Sequence, residues 1–190
     1  MTIFLILAPY GAFGFLMFMT SATASVFTAS AICLVTIAID VARGRSVKIL
    51  AAGSAVLFAG IGIYLSLLNP MLSALAVKFS LDAGIFVISL GSMLARHPFT
   101  LQYALEEVPA ETAAMPGFLR ANYIITAAWT AAALLMMASN AVLLYVPGLP
   151  IWSGLAVAFA ARNSAMYFTK WYPEYRKIKY GTPASALPSS

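Results

Sequence analysis

Residues 78–98 read KFSLDAGIFVISLGSMLARHP, a stretch apolar enough to cross a bilayer that nonetheless carries Lys78 and Asp82 four residues apart. About 20 apolar residues in a helix span the ~30 Å hydrocarbon core. Both charges therefore lie within or close to a region where a lone charge costs at least about 2.5 kcal/mol. Their stabilising partners must come from elsewhere in the chain. The stretch then stops at Arg96-His97-Pro98, a basic boundary closed by the residue least able to continue a helix.

The rest of the chain has the same character. Of its 190 residues 62% are hydrophobic and 9% charged, against about 25% charged in a soluble domain. That is too little polar surface to face water. Barrel strands would alternate apolar and polar residues, whereas here the apolar runs are continuous. The expected fold class is all-α: a polytopic integral membrane bundle of five to six transmembrane helices, in one unit over residues 1–180. The tail 181–190, rich in Pro, Ser and Ala, is expected to be disordered.

Six apolar runs are legible. Ile3 to Met19 is interrupted by Pro9, Gly11 and Gly14. It lacks the positive start of a secretory signal, although Ala22-Thr23-Ala24 resembles a cleavage site; a retained helix is expected, spanning or partly re-entrant. Ala22 to Val41 follows, then Ile49 to Leu68, in which Ala51, Ala55 and Ala59 recur at the spacing that lets helix backbones approach in lipid. Asn69-Pro70 turns the chain into the fourth run. The one long hydrophilic segment, 96–120, contains Thr100 as a cap for a short helix whose leucines rest on the interface while its glutamates face water. The fifth run is Tyr123 to Val146. The sixth, Ile151 to Thr169, leads into the aromatic and basic anchor Lys170-Trp171-Tyr172-Pro173-Glu174-Tyr175-Arg176-Lys177.

Charge placement orients this map. Of the eleven Lys and Arg residues, only Lys78 and Arg162 lie within runs. With six crossings, Arg43, Arg45, Lys48, Arg96, Arg120, Lys170, Arg176, Lys177 and Lys179 all fall on one side. The positive-inside bias makes that side cytoplasmic, which predicts a bacterial inner-membrane protein with loop 96–120 and the C-terminus in the cytoplasm. The same placement accounts for the formal charge of +5 without nucleic acid. Cys33 and His97 are each the only residue of their type, so neither an intrachain disulfide nor a His or Cys/His metal site is expected. The chain contains no glycine-rich phosphate loop, nucleophile elbow or HExxH. The expectation is a non-enzyme without cofactor or metal.

Three polar groupings are the candidate functional residues. Asp82 and Arg162 each lie about ten residues, or roughly 15 Å, from the outer ends of their runs. Gly154, Ala158 and Arg162 share one stripe, and Lys78, Asp82, Ser89 and Ser92 share one face. An interhelical Asp82–Arg162 pair is expected, with Lys78 joining it or snorkelling outward. Such a cluster either fixes helix register or acts as an ion-responsive carboxylate on a transport path. Asp40 is expected to pair with Arg43 at the boundary. Asn122 and Asn140 lie five helical turns apart, with Thr126, Trp129 and Thr130 near the same line; a polar stripe in lipid faces protein, where it bonds other helices or lines a pore. The third grouping is a candidate docking loop: Arg96, His97, Glu106, Glu107, Glu111 and Arg120.

The order of features distantly resembles the bacterial intracellular septation protein A family of small inner-membrane proteins. The resemblance is carried by the basic loop after the second run, by Lys78 opening the fourth, by Arg120-Ala121-Asn122, by the spacing of 11 from Trp129 to Asn140, and by the aromatic and basic C-terminal anchor. It departs from that pattern at Lys78-Phe79-Ser80, where the family has a Lys-Pro-Thr-like signature, and in the longer interval before Trp129. The resemblance implies a non-enzymatic role in envelope maintenance or cell division, through contacts with membrane-protein partners or a second copy. A scaffold of this kind is the leading expectation. The others are a small transporter or channel using Lys78, Asp82 and Arg162, and an accessory subunit of an energy-converting membrane complex.

Overall fold

The computed structural model describes residues 2–180, with side chains described for 8–179; the tail expected to be disordered lies outside the described residues. Among them the fold is all-helical, with eight helices: α1 (Thr2–Met19), α2 (Ala22–Ala42), α3 (Ile49–Leu67), α4 (Ala74–Leu94), α5 (Phe99–Glu107), α6 (Ala110–Ala113), α7 (Phe118–Tyr145) and α8 (Ile151–Tyr180). Four of them, α2, α3, α4 and α7, are long and apolar enough to cross a membrane, which makes this a membrane protein. Large apolar side chains such as Val56, Leu67 and Phe159 are left on the outside of the bundle, as a lipid solvent allows. Helix α1 runs unbroken through Pro9, and α8 continues through Pro173 into the aromatic and basic segment.

The helices form a row of neighbours in the order α1, α2, α3, α4, α7, α8, each packed on the next. One core cluster joins the first four around Phe58, which is fully buried with Val26, Ala29, Cys33, Leu65, Val77 and Leu81. The Tyr10 and Phe13 rings of α1 approach Phe58 at 5.7 and 5.8 Å. A second cluster of Ala132, Met136, Ala161 and Ala165 joins α7 to α8. Between α3 and α4 the contact is reciprocal: Gly53 receives Ile88 of α4, and Gly84 receives Leu57 of α3. Small residues permit that approach where apolar burial alone does not drive helices together in lipid.

The helix ends follow from sequence. Ser21 and Ser73 accept hydrogen bonds from the amides of Ala24 and Ala76, each at 3.2 Å, starting α2 and α4. Helix α2 ends with the Gly44 amide on the Val41 carbonyl and the Arg45 amide on that of Asp40, both at 2.9 Å, with Gly44 left-handed at φ 70°. This is a Schellman close. Helix α4 ends the same way, with the Arg96 amide on Met93 and the His97 amide on Ser92, but Arg96 occupies the left-handed position at φ 61°. A non-glycine residue there is strained, and a β-branched one much more so. Arg96→Gly is therefore expected to leave thermal stability in detergent unchanged or raised, while Arg96→Val lowers it by about 1–2 kcal/mol relative to the glycine variant.

Candidate functional site

The row of helices leaves α1 and α8 facing each other across a cavity of about 550 Å³, backed by α4 and α7. Its walls are largely apolar, but Lys78, Asp82, Asn140 and Arg162 all line it. Asp82 lies eight residues into α4 and Arg162 eleven into α8, about 12 and 17 Å from their helix starts. A second cavity of about 260 Å³ lies toward the basic end, lined by α5, α7 and α8 residues including Phe99, Ile125 and Trp129. Tyr10, Ile85, Met136 and Arg162 line both cavities, so they meet at Arg162.

The expected Asp82–Arg162 pair does not form. Asn140 donates to the Asp82 carboxylate at 2.7 Å instead. Asp82 and Asn140 sit on the directly packed α4–α7 interface, whereas α8 packs on α7 and enters the site about one turn deeper. The amide reaches the carboxylate first. Arg162 and Lys78 are near enough to act on Asp82 through space, but among the described residues Arg162 makes no hydrogen bond and no ion pair. Lys78 joins no ion pair among the described residues; its amine lies over the ring of Phe18, near the end of α1, at 5.6 Å. The cavity thus holds two cations and one carboxylate, with the carboxylate's hydrogen bond supplied by a neutral group.

The polar line on α7 faces protein along its length. Near the basic end Asn122 donates to its own helix at the Phe118 carbonyl, 3.0 Å away. Thr126 shares a 2.7 Å hydrogen bond with Thr100 of α5. Trp129 donates its indole N–H to Thr169 of α8 at 2.9 Å, and Asn140 reaches α4. One helix is thereby tied to three neighbours.

A third site was not evident in the sequence. Lys48, just before α3, is 2% exposed and bridges Asp40 at 3.0 Å and Glu106 at 2.7 Å. Arg45 stands at 3.6 Å from Asp40 and 3.9 Å from Glu106. Asp40 therefore pairs with Lys48 and Arg45, not with Arg43: the Schellman turn at Gly44 reverses the chain and carries the later basic residues back over the helix end. Glu106 is exposed like Glu107, but its carboxylate turns to Lys48. Gln102, on the same helix, accepts from the Ile49 amide at 2.7 Å, supplying the cap that α3 lacks. Tyr103 lies between, its ring 5.9 Å from the Lys48 amine. Burial, above all, and then nearby groups including Asp40 and Glu106 push its phenol above the ordinary range, so it stays neutral. The one available signal is a lysine at the position where a capping Ser, Thr, Asp or Asn ordinarily opens a helix.

The rest of the candidate docking loop is on the surface: Arg96, His97, Glu107, Glu111 and Arg120 are exposed. No family model, curated protein or solved structure matches the chain.

Two substitutions test these contacts. Lys48→Met leaves two carboxylates, on side chains 22% exposed, with only the longer contacts to Arg45, and should cost about 1–2 kcal/mol after allowance for that exposure; it should also speed proteolysis within 96–120, while Glu106→Gln, which leaves Asp40 on Lys48, costs less. At the cavity, Asn140→Leu should lower the melting temperature in detergent by more than the double variant Asp82→Leu/Asn140→Leu, because only the single variant leaves a carboxylate without its donor. Equal losses would mean that the bond contributes little.

Proposed function

We propose that the protein is a small transporter-class membrane protein that takes an anionic solute into the cleft between α1 and α8. The observation that carries this reading is Arg162: an arginine deep in the bundle, opening onto a cavity of about 550 Å³ and, among the described residues, bound to no carboxylate. An intramembrane ionisable residue points to a functional site by default, and a structural cation would be expected to take the nearby Asp82. In this reading α1 and the apolar part of α8 join α2, α3, α4 and α7 as spans, giving six. The nine basic residues outside the apolar runs then support a cytoplasmic side for both ends of the bundle, in a membrane of the bacterial inner-membrane type. No step requires a cofactor or covalent chemistry, and the chain acts as a carrier, not an enzyme.

The scaffold reading keeps specific support in the exposed charges Arg96, His97, Glu107, Glu111 and Arg120, together with the septation-family resemblance. It loses Glu106, which is engaged internally with Lys48.

The two readings separate in purified proteoliposomes. Concentration jumps of small organic anions over a membrane containing only this protein should give charge-moving transients, reduced about tenfold or more in Arg162→Gln. Transients that are absent for every anion, with partner capture lost on charge reversal at Glu107 and Glu111, would establish the scaffold instead.

A further inference from the structure

The charge and shape of the cleft narrow the class of solute; the argument rests on the preceding reading that the cleft is a solute site. Among the described residues the charged groups lining the larger cavity are Lys78, Asp82 and Arg162, and the smaller one is lined by Arg162 and by Glu107 at the end of α5. Counted over the whole of the larger cavity, two cations face one carboxylate, an excess of one positive charge in surroundings of low dielectric. An uncompensated charge is costly there, and one monoanion removes the excess where a dianion would overshoot. The guanidinium fork fits a carboxylate through two parallel hydrogen bonds. Beyond Arg162 toward the basic end, the smaller cavity offers Ile85, Phe99, Ile125, Trp129 and Met136, a wall suited to hydrocarbon and poor in donors.

We propose that the cleft binds a single-chain monocarboxylate of the fatty-acid class, its carboxylate on Arg162 and its chain running through the inner cavity past Trp129. Charge complementarity selects the head and the apolar wall selects the tail. Asp82, already bonded to Asn140, does not compete for the guanidinium by hydrogen bonding, and it repels a second anion. The distance is also set: Trp129 is bonded to Thr169, seven residues or about 10 Å along α8 from Arg162, so a mid-chain carbon lies beside the indole.

Trp129 reports on this directly. With Trp152→Phe and Trp171→Phe in the background, it is the only tryptophan left of three. The protein is placed in nanodiscs of unbrominated lipid and titrated with a fatty acid dibrominated at mid-chain, bromine being a contact quencher of indole fluorescence. Saturable quenching is expected, relieved by the unbrominated acid and not by the alcohol of equal length. Arg162→Gln should weaken the binding about tenfold or more, and Arg162→Lys should recover part of it. Quenching that rises without saturation, as bilayer partitioning alone would give, overturns the proposal. Equal competition by the alcohol overturns it as well, in the unaltered site, whether or not Arg162→Gln folds; so does unchanged affinity in a folded Arg162→Gln protein. Saturable binding without flux would remove the transport reading and leave this one standing. Arg162-dependent flux of other anions, without quenching, would do the reverse.

Discussion

The 2.7 Å hydrogen bond from Asn140 to Asp82 decides what the middle of this bundle is. A carboxylate in hydrocarbon needs a donor, since no bulk water is at hand to supply one. Two kinds of donor were within reach on neighbouring helices: a neutral amide on α7 and a guanidinium on α8. The amide gives one carboxylate oxygen a donor without cancelling the charge. Had Arg162 taken that position, α8 would be drawn onto α4, the cavity between α1 and α8 would be smaller, and the guanidinium would no longer face open space. Because Asn140 takes it, the packing of α4 on α7 is fixed by a short side chain, and the cation faces open space.

A second constraint acts at the basic end, where Lys48 is buried between Asp40 and Glu106. Buried ion pairs seldom add net stability compared with apolar residues of equal size. What they supply is position. Asp40 belongs to α2, Lys48 to the start of α3 and Glu106 to α5, so three elements distant in sequence converge on one ammonium group. Gln102 adds a cap to α3, and Thr100 joins α5 to α7 at Thr126. The short helix between the fourth and fifth apolar runs is therefore held on two sides. It also contributes Phe99, Thr100, Tyr103 and Ala104 to the wall of the smaller cavity. The lock and the cavity floor are the same nine residues of α5.

The all-helical membrane class was legible in the sequence because it rests on composition, which no tertiary contact can reverse. The α7 line from Asn122 to Asn140 was legible as a protein-facing stripe for a related reason: helical periodicity and the cost of polar groups in lipid leave it no other surface. Partner identities were a different matter. Asp40 to Arg43 and Asp82 to Arg162 were both drawn as ion pairs from depth and sign of charge. The first was redirected by a left-handed residue at Gly44, the second by the order in which helices neighbour one another. Neither a turn's hand nor a helix's neighbour is encoded in depth along a run. Glu106 and Glu107 are both exposed, and only the approach of Lys48 at the start of α3 distinguishes the two.

Helix α8 shows how these constraints divide the molecule. Toward the basic end it is fastened by hydrogen bonds: Thr169 accepts from Trp129, and Arg176 donates to the Gly117 carbonyl at 2.5 Å, where Gly117 itself is left-handed at φ 85° and a side chain would meet the guanidinium. Toward the other end its contacts with α7 are apolar, with Gly154 against Leu143, and its Ile151, Leu155 and Phe159 line the larger cavity. Hydrogen bonds in lipid are directional and resist sliding, whereas apolar contacts between helices exchange with contacts to acyl chains at little cost. The fastened half therefore sets the position of Arg162 from one side, and the unfastened half borders the opening on the other. A guanidinium at the junction between them is fixed in depth yet reachable from the membrane. That combination suits a group that must hold and release an anion better than one that serves as a permanent strut.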